Sequence, residues 1–106
     1  MPVAFAVTFQ SYKLRDAADG ESCVRCGGIE GVVGCHYTGA RRLAYGGGFG
    51  IKVHDFLIAH LCARCHREMD QQSRDKGNKY EHSEEFLHLI ALTLIRLFHK
   101  GLLVVK

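Results

Sequence analysis

The sequence predicts a small α+β domain stapled by cysteines, and three observations point there. Two C-x-x-C pairs, Cys23/Cys26 and Cys62/Cys65, stand 35 residues apart. Two short apolar runs, GVVGCHY (31–37) and DFLIAHL (55–61), have the length and aliphatic content of buried strands. A longer apolar segment near the C-terminus, EEFLHLIALTLIRLFHK, has the length of a helix. At 106 residues the chain is one domain, near the size at which an apolar core alone is marginal. Its composition, 47% hydrophobic and 24% charged, is that of an ordinary folded protein. A net charge of +3 permits a nucleic-acid partner without demanding one.

Taken in order, Val3, Phe5, Val7 and Phe9 alternate with smaller residues, which predicts a short strand. SYKLRDAADG (11–20) suits one or two helical turns, with Gly20 as the stop. The first cysteine pair follows in a glycine-containing knuckle, CVRCGG, and then the strand at 31–37. TGARRLAYGGGFGIK holds four glycines between 46 and 50 and reads as a loop with no regular core of its own. The strand at 55–61 runs into the second knuckle, and CARCHREMDQQSRD has helical character beyond it.

Gly77 and Asn78 break that helix. Ser83 is the expected N-cap of the next one, with Glu84 and Glu85 in a first turn where carboxylates suit the helix dipole. That helix runs to about Lys100 and stops at Gly101. Phe86, Leu87, Leu89, Ile90, Leu94 and Leu97 are too many for a narrow stripe, so much of its surface should be buried, with His88, Arg96 and His99 on the wetter side. LLVV adds a short terminal strand. The chain thus divides into an N-terminal strand and helix (1–22), a central core (23–76) and a C-terminal helix and strand (83–106).

No run of about 18 uncharged apolar residues is present, which argues against a membrane span. MPVAFAVTFQ lacks the basic start and cleavage site of a secretory signal, so a reducing, intracellular location is expected. There, five cysteines with two C-x-x-C pairs favour metal ligation over disulfides. Cys23, Cys26, Cys62 and Cys65 supply the four thiolates of a closed structural Zn²⁺ site. Cys35 is left over, as a core cysteine or an extra ligand. His60, two residues before Cys62, reads equally as a ligand, a phosphate contact or a strand residue.

The remaining chemistry lies in histidines and one carboxylate. On a helix His66 and Asp70 share a face, and such a pair can grip a second divalent ion with positions left open for water and substrate. His36 ends a strand-like run, and histidine is the natural general base at neutral pH. Arg41, Arg42 and Lys52 stand in the inserted loop, where they can contact phosphates or simply be solvated.

A C-x-x-C pair, a strand with a histidine, a loop, and C-x-x-C-H on a helix together resemble the HNH (ββα-metal) endonucleases with a zinc-stabilised core. LRDAADGESCVRC, GCHYTGA, the glycine-rich loop followed by His54-Asp55, LCARCHREMD and the ending HKGLLVV are similar to the small nucleases encoded by phages and prophages. The likeness covers nearly the whole chain from Lys13. It implies that a β-hairpin and a helix enclose one catalytic ion, Mg²⁺ or Mn²⁺, with His36 as general base and His66 and Asp70 facing the ion. Asp55 falls near the middle position of the motif, where the family often has an asparagine; the residue nine before His66 is Leu57. Cys35 stands where many members have a metal-binding Asp or His. The implied substrate is DNA in a bacterial cytoplasm, its phosphates met by Arg41, Arg42, Lys52, Arg64 and Arg67 with little sequence preference.

Two other classes fit the same residues. A non-catalytic zinc module binding DNA or protein keeps the four-cysteine site but makes His36 and Asp70 incidental. An adaptor or inhibitor would dock through the apolar helix at 84–100, which, if exposed, also suits a homodimer.

Overall fold

A computed structural model of the chain describes residues 8–48, 50–74 and 76–106. Val3, Phe5 and Val7 of the expected first strand lie outside them, and Phe9 belongs to no regular element. Helix α1 (Tyr12–Asp16) is opened by Ser11, whose Oγ accepts a hydrogen bond from the Leu14 amide at 3.2 Å. It buries Leu14, and Ala18 is buried just beyond it.

Strand β1 (Val33–His36) pairs antiparallel with β2 (Ile58–Leu61), with Gly34 opposite His60 and His36 opposite Ile58. Among the described residues the sheet has these two strands. Gly34 is the point of close approach to α1: a Cβ there would sit 3.0 Å from Ile58 Cδ1 and 3.3 Å from the Arg15 carbonyl oxygen. A bare backbone at this position is what brings Arg15 down to the sheet.

β2 is buried along its whole length. The backbone of His60 turns away from β1. Its amide donates to Thr93 Oγ1 at 3.1 Å, and its carbonyl accepts from the Val24 amide at 2.9 Å. The outer side of β2 is therefore closed by a helix and by the first knuckle. Replacing Thr93 with valine keeps the shape and strands a buried donor, so thermal or urea unfolding should show a loss of about 1–3 kcal/mol. An unchanged midpoint would mean that the amide finds another acceptor.

Helix α2 (Ala63–Gln72) starts directly after β2, with Cys62 as its cap residue. Helix α3 (Lys79–His99) lies over the sheet and buries Phe86, Leu89, Ile90, Thr93 and Leu97. Ser83 is not its N-cap: α3 begins four residues earlier, and Ser83 is buried inside it, hydrogen-bonded to the hydroxyl of Tyr37. Tyr37 is itself buried, and its phenol needs a polar partner there. His88 and His99 are exposed, as expected of the wet side. Arg96 instead reaches across to the Ser22 carbonyl (2.8 Å) and Glu21 (3.4 Å). Leu92, Ile95 and Phe98, on the face that the homodimer expectation assigns to a second copy, are exposed.

The expected terminal strand is absent: residues 102–106 form no ladder after the turn at Gly101. The outer side of β2 is already taken by Thr93 and Val24, so that side has no ladder to offer the tail.

The segment joining β1 to β2 carries one 3₁₀ turn, Arg42–Tyr45, and otherwise borrows its core from the sheet and α3. The Tyr37 ring packs edge-on against Tyr45 (5.4 Å) and Phe86 (5.6 Å), and Val53 is buried with them. At Gly46 the backbone has φ of 89°, and a Cβ would stand 2.8 Å from His54 Nε2, so both conformation and space call for glycine. His54 in turn accepts from the Phe9 amide through Nδ1 at 2.9 Å, and the Asp55 amide donates to the Phe9 carbonyl at 3.0 Å. Phe9–Ser11 is thereby clipped across His54–Asp55.

Candidate metal centre and catalytic cleft

The two knuckles meet. The Sγ atoms of Cys23, Cys26, Cys62 and Cys65 all lie within 4.8 Å of one another, and none of these cysteines is in a disulfide. Thiolates at the usual 2.3 Å from a tetrahedral zinc stand about 3.8 Å apart. Cys26 Sγ and Cys62 Sγ are separated by 3.6 Å. The quartet is thus gathered closely enough to hold a metal such as zinc. Backbone amides already face its sulfurs: Arg25 to Cys23 (3.4 Å), Gly28 to Cys26 (3.3 Å) and Cys65 to Cys62 (3.5 Å). The Gly28 amide, followed by the Arg64 guanidinium, brings the Cys26 thiol down to about 6. Burial, reinforced by neighbouring sulfurs, pushes Cys65 up to about 12, and a cation among the four reverses that penalty. Arg25 ties the cluster to both helices by pairing with Glu68 of α2 and Glu85 of α3.

Neither Cys35 nor His60 joins the quartet. The Cys35 thiol is buried and held at about 12 by burial and by the charge of Asp70, so it is a neutral core group. His60 is wholly buried, and burial with the charge of Arg96 lowers it to about 4. It is therefore neutral and accepts at Nδ1 from Arg96 Nη1 (3.1 Å).

His36, at the end of β1, is held at Nε2 by Asp55 Oδ1 at 2.7 Å, which leaves Nδ1 as its second ring nitrogen. Asp55 is 4% exposed and also accepts the Ser11 amide on Oδ2 at 2.6 Å, with Arg15 Nε 3.0 Å away. Burial alone would raise its pKa, but His36, the Ser11 amide and Arg15 outweigh it and hold the carboxyl below the usual range. Asp55 is thus an anion aimed at the far side of the His36 ring.

His36 opens on a cleft of about 770 Å³, whose walls include His66 and Asp70 from α2 together with Arg42, Lys52 and Lys79. His66 Nε2 and Asp70 Oδ2 are 3.3 Å apart, each side chain between four- and five-tenths exposed. They can share one proton or one cation with room beside it for further ligands. A second hollow of about 490 Å³ is also bordered by His36, sharing Lys52 and Val53 with the cleft and adding Arg15 and Asp55.

Of the residues singled out for phosphate contacts, the structure places Arg42 and Lys52 in the cleft wall. Arg41 and Arg67 are exposed and not among its lining residues. Arg64 stands beside Cys26 and Glu68, on the knuckle. Arg15, Ser11, Lys79 and His82 were not singled out. Arg15 and Ser11 act through Asp55, which is about 40 residues away in sequence, and no local pattern shows that. Lys79 enters because α3 begins at it, and His82, whose ring is bonded to the Met69 carbonyl of α2 at 3.0 Å, lines the cleft from α3.

No protein-family model, curated protein or solved structure matches the chain. Among the described residues no helix is long and apolar enough to cross a membrane.

Proposed function

We propose that the chain is a metal-dependent nuclease of the ββα-metal kind, hydrolysing DNA phosphodiesters, with zinc on its cysteine quartet. One observation carries this reading: a single cleft receives His36 from β1 and both His66 and Asp70 from α2, the helix that directly follows β2. His36 accepts a proton from water at Nδ1, since Nε2 is engaged by Asp55. The ionised Asp55 fixes the tautomer that carries its proton on Nε2, and it stabilises the imidazolium that forms. A divalent cation held by His66 and Asp70 would supply positive charge to the scissile phosphate and its departing oxygen. Arg42, Lys52 and Lys79 hold neighbouring phosphates. Contacts of this kind fix the backbone without reading bases, so sequence preference is weak.

The test is nicking of supercoiled plasmid by the zinc-loaded protein with added Mg²⁺ or Mn²⁺. His66→Ala and Asp70→Ala change half-exposed side chains, so both variants keep the wild-type melting curve. Each should need more metal than wild type to reach the same rate. A wild-type protein that cuts neither DNA nor RNA with any divalent ion sinks the reading.

A zinc-stapled binding module is the second reading, favoured by a specific observation. Among the described residues the cysteine quartet is the one group of three or more ligating side chains gathered tightly enough to enclose an ion. Such a module carries one zinc and binds nucleic acid equally well with and without Mg²⁺ or Mn²⁺.

A further inference from the structure

His36 lines two hollows, and at each of them a lining cation lies against an exposed tyrosine. The Arg15 guanidinium carbon lies 4.3 Å from the centroid of the Tyr12 ring, and Arg15 lines the smaller hollow. Lys79 Nζ lies 4.9 Å from the centroid of the Tyr80 ring, and Lys79 lines the larger cleft. Tyr12 is 77% and Tyr80 64% exposed, so neither ring serves the core. The residue that anchors α1 is Leu14, and the buried face of α3 begins at His82. Lys52 borders both hollows, next to His36.

Resting on the reading of this cleft as a nucleic-acid site, we propose that Tyr12 and Tyr80 are base-stacking platforms and that the ligand is an unpaired DNA strand. The strand passes His36 with its phosphates on Lys52, Arg42 and Lys79. Aromatic faces beside a cationic track are what unpaired bases require: each base offers a free π-face to a ring and a phosphate to a cation. In a duplex those faces are already covered by neighbouring base pairs, and an exposed tyrosine gains nothing from them. Arg15 belongs to both halves of the arrangement, since it stacks on Tyr12 and pairs with Asp55, the partner of His36. A base seated on Tyr12 is therefore linked to the general base through three side chains, Tyr12, Arg15 and Asp55. Stacking is blind to base identity, so the strand is recognised by its lack of pairing.

Fluorescence anisotropy with a labelled oligothymidine and a labelled hairpin duplex of equal length tests this, using zinc-loaded protein without added Mg²⁺ or Mn²⁺. The oligothymidine should bind the tighter of the two. Tyr12→Ala and Tyr80→Ala should each weaken it roughly five- to 150-fold, the range for loss of one stacked base, while Tyr12→Phe and Tyr80→Phe keep the affinity. Both rings are solvent-facing, so the melting temperature serves as the control for folding. Equal or tighter binding of the duplex, or alanine variants that bind oligothymidine as wild type does, overturns the proposal. Cleavage is not read out. A protein that nicks duplex plasmid yet fails this test remains a nuclease, and one that binds neither probe loses the nucleic-acid reading as well.

Discussion

Stripping the metal from the cysteine quartet should unfold the chain. A structural zinc binds four thiolates with an apparent 10–16 kcal/mol or so at neutral pH. A domain of this size is stable by about 5–15 kcal/mol in total. The two ranges overlap, so the ion's contribution is comparable to the whole stability of the fold, and native packing should not outlast it. The geometry makes the coupling direct: the sulfurs join the first knuckle to the end of β2 and the start of α2, and the same knuckle supplies the Val24 amide that closes β2. Cys65, at 0% exposure, offers no wet alternative to its thiolate once the cation has gone. The expected result is loss of cooperative melting by circular dichroism, both after chelation and in Cys65→Ser, with about one zinc per native chain by elemental analysis. A Cys65→Ser protein that melts cooperatively at the wild-type temperature rules out a structural ion.

Replacing His36 with alanine should lower nicking by about 10²- to 10⁴-fold, the usual contribution of a positioned general base. The His36 side chain is 12% exposed and stands outside the cysteine quartet, so the variant should keep zinc, with its melting curve as the check on folding. Asp55→Asn should lower nicking by another route. The Ser11 amide and Arg15 keep the amide oxygen, so the amide nitrogen donates to Nε2 and the ring's proton moves to Nδ1, the nitrogen that must accept. The two variants also part in acid. The folded pKa of Asp55 lies below its unfolded value. Its contribution to stability is therefore complete above the ordinary aspartate pKa and is lost as pH falls through the lower, folded one. Asp55→Asn should flatten that acid limb of the unfolding curve, and His36→Ala should shift it only partly, since Ser11 and Arg15 still hold the carboxylate. A fully active, zinc-loaded His36→Ala protein would move the chemistry elsewhere.

The parts legible in the sequence were those encoded by short spacing. C-x-x-C pairs converge because four thiols suit one ion, and a histidine and an aspartate four apart on a helix must share a face. The element order around them followed for the same reason. What escaped was decided by tertiary contact. Ser83 with two glutamates after it is a sound local capping signal, yet the buried hydroxyl of Tyr37 claims it and α3 begins at Lys79. That shift carried Lys79 and His82 into the cleft unforeseen. Asp55 was singled out from its place in the motif, but its grip on His36 depends on Arg15. That contact exists because Gly34 lets α1 settle on the sheet. The LLVV tail has strand propensity, and the outer side of β2 was already occupied.

The quartet has a further consequence, for change over evolutionary time. With a metal on it, the quartet would clamp both ends of the chain between Cys26 and Cys62, making the glycine-rich segment inside a closed loop with fixed ends. Closing such a loop costs entropy only logarithmically in its length, about 0.6 kcal/mol for each doubling. Residues can therefore be gained or lost beside Gly50, where a Cβ would meet nothing within 4 Å, at small cost to the scaffold, while Arg42 and Lys52 on the flanks move relative to His36. The lip of the cleft is free to be lengthened, shortened or re-charged in step with a changing ligand, while the clamp beneath it stays as it is.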